Sequence, residues 1–192
     1  MAVKTFTDNT ALPASDINTF LTNAGLVWIA QGSFTGVTTA APLAITQVFN
    51  STYDNYRVTF KWQGNGNANV LMRFYTGTNT LNTDANYSGS GYSASGGTLA
   101  GISELNQTRA YIGYAFGAST DYSFWTCDFL SPNLTTETGY QHTMNGLNGA
   151  TWAFSQQYQG YKNSTNQYTG FQIYPDANTL IGSYWIYGYR KS

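Results

Sequence analysis

Cys127 and His142 each occur once in the chain. A thiol nucleophile activated by an imidazole is the simplest hydrolytic chemistry that one of each can perform. It needs contact between the two and a third group to orient the base, and a separation of fifteen residues promises no contact. We therefore expect Cys127 to be a small buried side chain and His142 a surface or core imidazole. Glycoside hydrolysis needs two carboxylates facing one sugar bond. The glutamates are Glu104 and Glu137, and seven aspartates accompany them, several in turn contexts such as YDNY and YPDAN. An aspartate pair keeps a hydrolase, for example a polysaccharide depolymerase, open as a class.

No G-x-S-x-G, Walker A, H-E-x-x-H or paired C-x-x-C pattern is present, so the sequence gives no footing to a cofactor or to the common zinc sites. The acidic stretch NTDAN at 82–86 offers oxygen ligands but lacks the calcium-loop pattern, and turn-forming Asx residues explain it better. Five N-x-S/T triplets begin at Asn50, Asn86, Asn106, Asn133 and Asn163. In a chain so rich in Asn and Thr, chance accounts for them.

Aromatic residues are the remaining chemical signal. Sixteen Tyr and five Trp exceed what a core usually takes, and amphipathic rings stack on sugar faces while their polar tips hydrogen bond. Tyr87 and Tyr92 lie in NYSGSGYSASGG, among small adaptable residues of the kind found in binding loops. Tyr161 lies in QGYKNSTNQ. These three are the candidate glycan-binding residues; the alternative for any one tyrosine is a sheet face or a subunit contact.

The elements that must position these residues are strands. Only 9% of residues are charged and 17% are aromatic, and polarity is carried by Asn, Thr, Ser, Gln and Gly, a composition suited to strands and tight turns. In NYRVTFKWQ, Tyr56, Val58, Phe60 and Trp62 alternate with polar neighbours, which predicts a strand buried on one face. After the turn signal GNGN, ANVLMRFY repeats the even-numbered pattern and is expected to be its hairpin partner. Further strands are predicted from Leu26, Leu43, Thr108, Tyr122, Ala150, Gln167 and Ser183, with GYQHTMNG as a tenth. The stretch 76–101 reads as a long loop with one short strand at 85–88, and 159–167 as a shorter exposed loop. The expected fold is all-β, an antiparallel, jelly-roll-like β-sandwich preceded by a short N-terminal helix. In that helix Ser15 is the N-cap, Ile17, Phe20 and Leu21 form the apolar stripe and Gly25 is the stop. It is too short to stand alone, so its stripe must dock on something.

Eight basic and nine acidic residues leave a net charge of −1, scattered and without a basic footprint, which argues against nucleic acid as a partner. Low net charge also eases self-association. A lone cysteine permits no internal disulfide, and no apolar run has the length of a membrane span or a signal-peptide core. We expect synthesis in the cytoplasm.

Three segments together, TFTDNTALPASDINTFLTNAGLVWI, FNSTYDNYRVTF and the final IGSYWIYGYRKS, resemble small structural proteins of tailed bacteriophages, found among tail fibre, tail tip and other virion appendage proteins. The resemblance implies an attachment segment at residues 1–25 and a β-sandwich head domain at residues 26–192. It implies a homo-oligomer, a trimer, that binds host surface structures such as bacterial glycan. Ile17, Phe20 and Leu21 would then dock on other virion proteins or on sister subunits, and the chain would reside in the virion after synthesis in the bacterial host. A purely structural role, as capsid decoration, head fibre or tail adaptor, is the alternative. The chain departs from long fibres in lacking a heptad stalk, a collagen-like repeat or a β-helical repeat.

Overall fold

The computed structural model describes residues 25–78, 80–117, 121–148 and 152–190. The predicted helix, with Ile17, Phe20 and Leu21, lies outside these residues. The described chain forms thirteen strands: β1 (Leu26–Val37), β2 (Leu43–Ile45), β3 (Tyr53–Gly64), β4 (Ala68–Thr76), β5 (Thr80–Leu81), β6 (Tyr87–Ser95), β7 (Thr98–Gln107), β8 (Ala110–Ala115), β9 (Ser123–Leu130), β10 (Thr138–Asn148), β11 (Trp152–Lys162), β12 (Tyr168–Pro175) and β13 (Leu180–Arg190).

All pairings are antiparallel. One sheet has eight strands in the order β1-β13-β3-β9-β10-β11-β6-β7; the other runs β2-β12-β4-β5, with β8 also paired to β4. The inner faces of the two sheets meet through aromatic rings. Phe129 of the large sheet packs 5.4 Å from Phe171 and 5.7 Å from Phe74 of the small one, and Phe60 lies 6.3 Å from Phe171. Tyr56, Val58, Phe60 and Trp62 are all buried, so the alternation predicted for β3 holds; in β4 Val70, Met72 and Phe74 are buried as expected, but so are Leu71 and Tyr75, so that strand does not alternate. Each fully buried ring of this kind contributes roughly 1.5–3 kcal/mol of transfer free energy. The all-β, two-sheet architecture is that of a β-sandwich.

Three local expectations are corrected. The segment GNGN does not close a hairpin: β3 sits between β13 and β9, whereas β4 pairs with β12, β5 and β8 in the other sheet. The connection crosses the edge of the sandwich, held by Asn65 N–H to the Thr179 carbonyl at 3.2 Å and by Asn178 Nδ2 to the Asn67 carbonyl at 2.9 Å. Alternation reports which face a residue takes, not which strand lies beside it.

Residues 76–101 are likewise no long loop. They contain β5, β6 and the start of β7, and β6 pairs with β7 on one side and β11 on the other. Two of the glycines that made this stretch read as a loop, Gly89 and Gly91, are packing positions. A Cβ on Gly91 would lie 2.2 Å from the Gln157 carbonyl oxygen, so only glycine lets β6 lie this close to β11.

The exposed loop expected at 159–167 shortens to 163–167, because β11 continues to Lys162. Lys162 is buried in the inner face. Its Nζ donates to the Asp84 carbonyl at 2.8 Å and lies 4.1 Å from the centre of the Tyr87 ring. Loss of hydration lowers its pKa to about 8, against the opposing pull of Asp84.

Candidate functional site

The outward-facing side chains of the large sheet form rows set by strand register. One row runs Tyr187, Arg57, Asp128, Gln141, Gln159 and Ser90; the next runs Trp185, Thr59, Thr126, Thr143, Gln157 and Tyr92. Between β3 and β6 these rows line an open groove of about 520 Å³. A second depression of about 360 Å³ adjoins it, sharing Ser90, Gln141 and Gln159 and extending over Leu130, Gly139 and Tyr161.

Polarity here is dense but nearly neutral. Arg57 grips Asp128 with two parallel bonds, Nε to Oδ1 at 2.8 Å and Nη2 to Oδ2 at 2.7 Å, and the Tyr189 hydroxyl donates to Oδ1 at 2.7 Å. Such forked guanidinium–carboxylate pairs have fixed geometry. Partial burial works to raise the Asp128 pKa, but the bonds from Arg57 and Tyr189 outweigh it and hold the carboxyl below its usual value. The Tyr189 hydroxyl is pushed up to about 12, first by burial and then by its bond to Asp128. Gln141, Gln157 and Gln159 expose their side chains from β10 and β11. Tyr92, 47% exposed, donates to Gln157 Oε1 at 2.6 Å, which fixes the ring at the groove wall.

The three candidate tyrosines divide. Tyr92 and Tyr161 (45% exposed) stand on this face, at the two depressions. They are joined by β11, on which Gln157, the register partner of Tyr92, lies four residues from Tyr161; at the strand rise that is about 14 Å. Tyr87 is not a surface residue. It points inward from β6, is 1% exposed, stacks on Phe74 at 5.9 Å and accepts the Phe74 N–H at 2.8 Å. Consecutive strand residues face opposite sides, so 87 and 92 cannot share a face. Gln141, Gln157, Gln159, Arg57 and Asp128 escaped the sequence reading. Their signal was the polar half of each alternating strand, which looks the same on any solvated sheet.

Cys127 and His142 are register partners on β9 and β10, although their spacing did not suggest it. Both point into the core. The imidazole lies between Trp125 and Tyr158, at ring-centre distances of 5.6 and 5.2 Å, with the Gln156 amide nitrogen 3.0 Å from Nε2. Burial pushes its pKa down to about 3 and raises the Cys127 thiol well above its ordinary value. A neutral imidazole beside a protonated thiol, both sealed from solvent, has neither nucleophile nor access. Glu104 faces inward as well, accepting from Tyr111 N–H at 3.1 Å and from Tyr158 Oη at 3.4 Å. In NTDAN, Asn82 and Asp84 bond to each other in an Asx turn, and among the described residues no group of three or more His, Cys, Asp or Glu is placed to hold a metal ion.

No family model matches the chain, and no curated protein matches it. Among solved structures, a fructofuranosidase from Schwanniomyces occidentalis complexed with fructosylnystose is matched at 10% identity and TM-score 0.28. A β-fructofuranosidase from the same organism complexed with fructosyl-erythritol is matched at 9% identity and TM-score 0.28. In both, the match covers 95% of this chain and 36% of the other. Likeness at that level carries no argument about this protein.

Proposed function

We propose that this chain is a non-enzymatic bacteriophage virion protein, a tail fibre or tail tip adhesin that binds bacterial surface glycan. In this reading the sandwich is a jelly-roll-like head, mounted on other virion proteins through residues 1–25 and assembled as a homotrimer. The virion assignment is supported by the resemblance of the three sequence segments. The glycan assignment rests on one observation: an open groove on the outer face of the large sheet, lined by amides and hydroxyls, with Tyr92 and Tyr161 exposed on it.

Sugars present hydroxyls for amide and carboxylate partners and C–H faces for rings, and the groove offers both. Asp128 is the one carboxylate lining it among the described residues, which favours binding over two-carboxylate hydrolysis. Weak single sites gain from multivalency, since linked copies raise the effective concentration without new contacts.

The test is adsorption of the purified protein to host cells, with the Tyr92→Ala/Tyr161→Ala double variant beside the wild type. The reading expects loss of cell binding with unchanged oligomeric state. Retained binding would remove this face from the function. Immunogold labelling of intact particles places the chain: label at the distal tail supports the adhesin. Label on the capsid or neck supports the second reading, a decoration or adaptor protein. In that reading the exposed apolar side chains Trp28, Leu99, Leu105 and Phe124, spread over β1, β7 and β9, would serve subunit or particle contacts.

A further inference from the structure

The smaller depression has an unusual floor. Leu130, Gly139 and Tyr161 are consecutive register neighbours across β9, β10 and β11. Leu130 and Tyr161 are both 45% exposed, so two apolar walls flank a position without a side chain. Neither backbone nor packing demands glycine there. The Gly139 φ is not in the left-handed region, and the atoms nearest an added Cβ would be those of the Leu130 side chain, at 3.5 to 3.9 Å, which is ordinary contact. Gly91 and Gly160, by contrast, would place a Cβ within 2.5 Å of a neighbour. What glycine contributes at 139 is the slot itself.

The mouth of the slot carries the exposed amides of Gln141 and Gln159, two register pairs along the same two strands and on the same face. An apolar slot with amides at its mouth matches an acetamido group: the methyl enters between Leu130 and Tyr161, and its N–H and C=O meet the two glutamine amides. A bare methyl would leave those amides without a role. Beyond them the larger groove is charge-balanced, because Arg57 and Asp128 neutralise each other. Lys61, farther along β3, holds its ammonium 3.9 Å from the Tyr122 ring and does not line the groove. An anionic sugar would meet no unpaired cation among the lining residues, and would have to compete with Asp128 for Arg57.

We infer that the ligand is a neutral glycan containing an N-acetylhexosamine, whose acetamido methyl occupies the Leu130–Gly139–Tyr161 slot while the adjoining sugar lies along the groove toward Tyr92. The inference rests on the glycan-binding reading above and specifies its ligand class. Both depressions are open, so the chain can continue past the site at either end, and an internal segment of a polysaccharide is accommodated.

The experiment is binding of the full chain to an immobilised panel of three groups: neutral oligosaccharides with N-acetylhexosamine, their de-N-acetylated and simple hexose counterparts, and acidic oligosaccharides. It is repeated with Gly139→Val and, as a second variant, Leu130→Ser. The expected result is binding confined to the N-acetylated neutral group, reduced tenfold or more by Gly139→Val with the melting temperature held. Equal binding of hexose or acidic glycans, or full N-acetylated binding by both variants, would overturn the inference and leave the glycan reading standing. Failure of all three groups to bind would remove the glycan reading itself.

Discussion

Cys127 and His142 face each other directly across β9 and β10, and both side chains are closed to solvent. The juxtaposition has the residue types of a thiol hydrolase and the electrostatics of a core. Burial keeps the imidazole neutral and the thiol protonated, so neither can activate the other.

Cys127 is therefore expected to resist thiol reagents in the native protein and to react with one equivalent per chain after denaturation. Ellman titration with and without denaturant checks this. Rapid stoichiometric labelling of the folded chain would contradict the placement.

Stability should fall on acidification. His142 has its folded pKa depressed to about 3, from an ordinary value of 6.5. The unfolded chain takes up a proton there before the folded one does, so stability is fully present above 6.5 and declines as pH drops from 6.5 toward 3. Asp128, also depressed, adds to the loss in the acid range as pH falls through its folded pKa. Urea midpoints measured at a series of pH values should show the decline, and His142→Phe should flatten its upper part. An unchanged slope in that variant would mean that other groups dominate.

Lys162 gives a second pH window. Its pKa is depressed from 10.5 to about 8, so its contribution is most favourable above 10.5 and is lost as pH falls through 8. Lys162→Met, which keeps much of the apolar stem, should fold and lose this alkaline dependence. Denaturant midpoints between pH 7.5 and pH 10.5, values chosen to bracket the about 8 to 10.5 window, compare the two proteins. Failure of the variant to fold would show that the bond to the Asp84 carbonyl outweighs the cost of burying the ammonium.

Two glycines on the same sheet should behave oppositely. Gly91→Ala forces a Cβ against the Gln157 carbonyl oxygen at 2.2 Å and should cost about 1–3 kcal/mol or more as β6 moves off β11. Gly139→Ala, with its Cβ in ordinary contact, should stay within about 0.5 kcal/mol of wild type. Thermal melts of the pair decide it; equal losses would mean that the close approach of β6 is relaxed at little cost.

The tyrosines separate in the same way. Tyr87→Ala empties a buried ring site and should destabilise by roughly 3–5 kcal/mol. Tyr92→Ala removes an exposed ring and should change stability by only about 0.5 kcal/mol, while weakening ligand binding. Denaturation curves and cell adsorption on both variants test stability and binding separately.

The sequence by itself determined the fold class and the buried face of its strands. Alternation in Tyr56, Val58, Phe60 and Trp62 is a local consequence of strand geometry and needs no partner to be legible. The company of small polar residues pointed to Tyr87, Tyr92 and Tyr161 alike as surface rings, which agrees with the exposure of Tyr92 and Tyr161 and fails for Tyr87. What only the tertiary structure decided was neighbourhood. Whether β4 lies beside β3 or across the sandwich from it, whether YSGSGYSAS is a loop or a strand over Tyr158, and whether Cys127 meets His142 all depend on contacts between distant segments. The same is true of the groove. Gln141, Gln159 and Asp128 are ordinary polar positions along three separate strands, and they become one surface because register places them in one row. Glycine at 89 and 91 shows the physical reason most directly: its low strand propensity is a property of the residue, and the β11 atoms that fill the space beside it, the Tyr158 ring at 89 and the Gln157 carbonyl at 91, come from elsewhere in the chain.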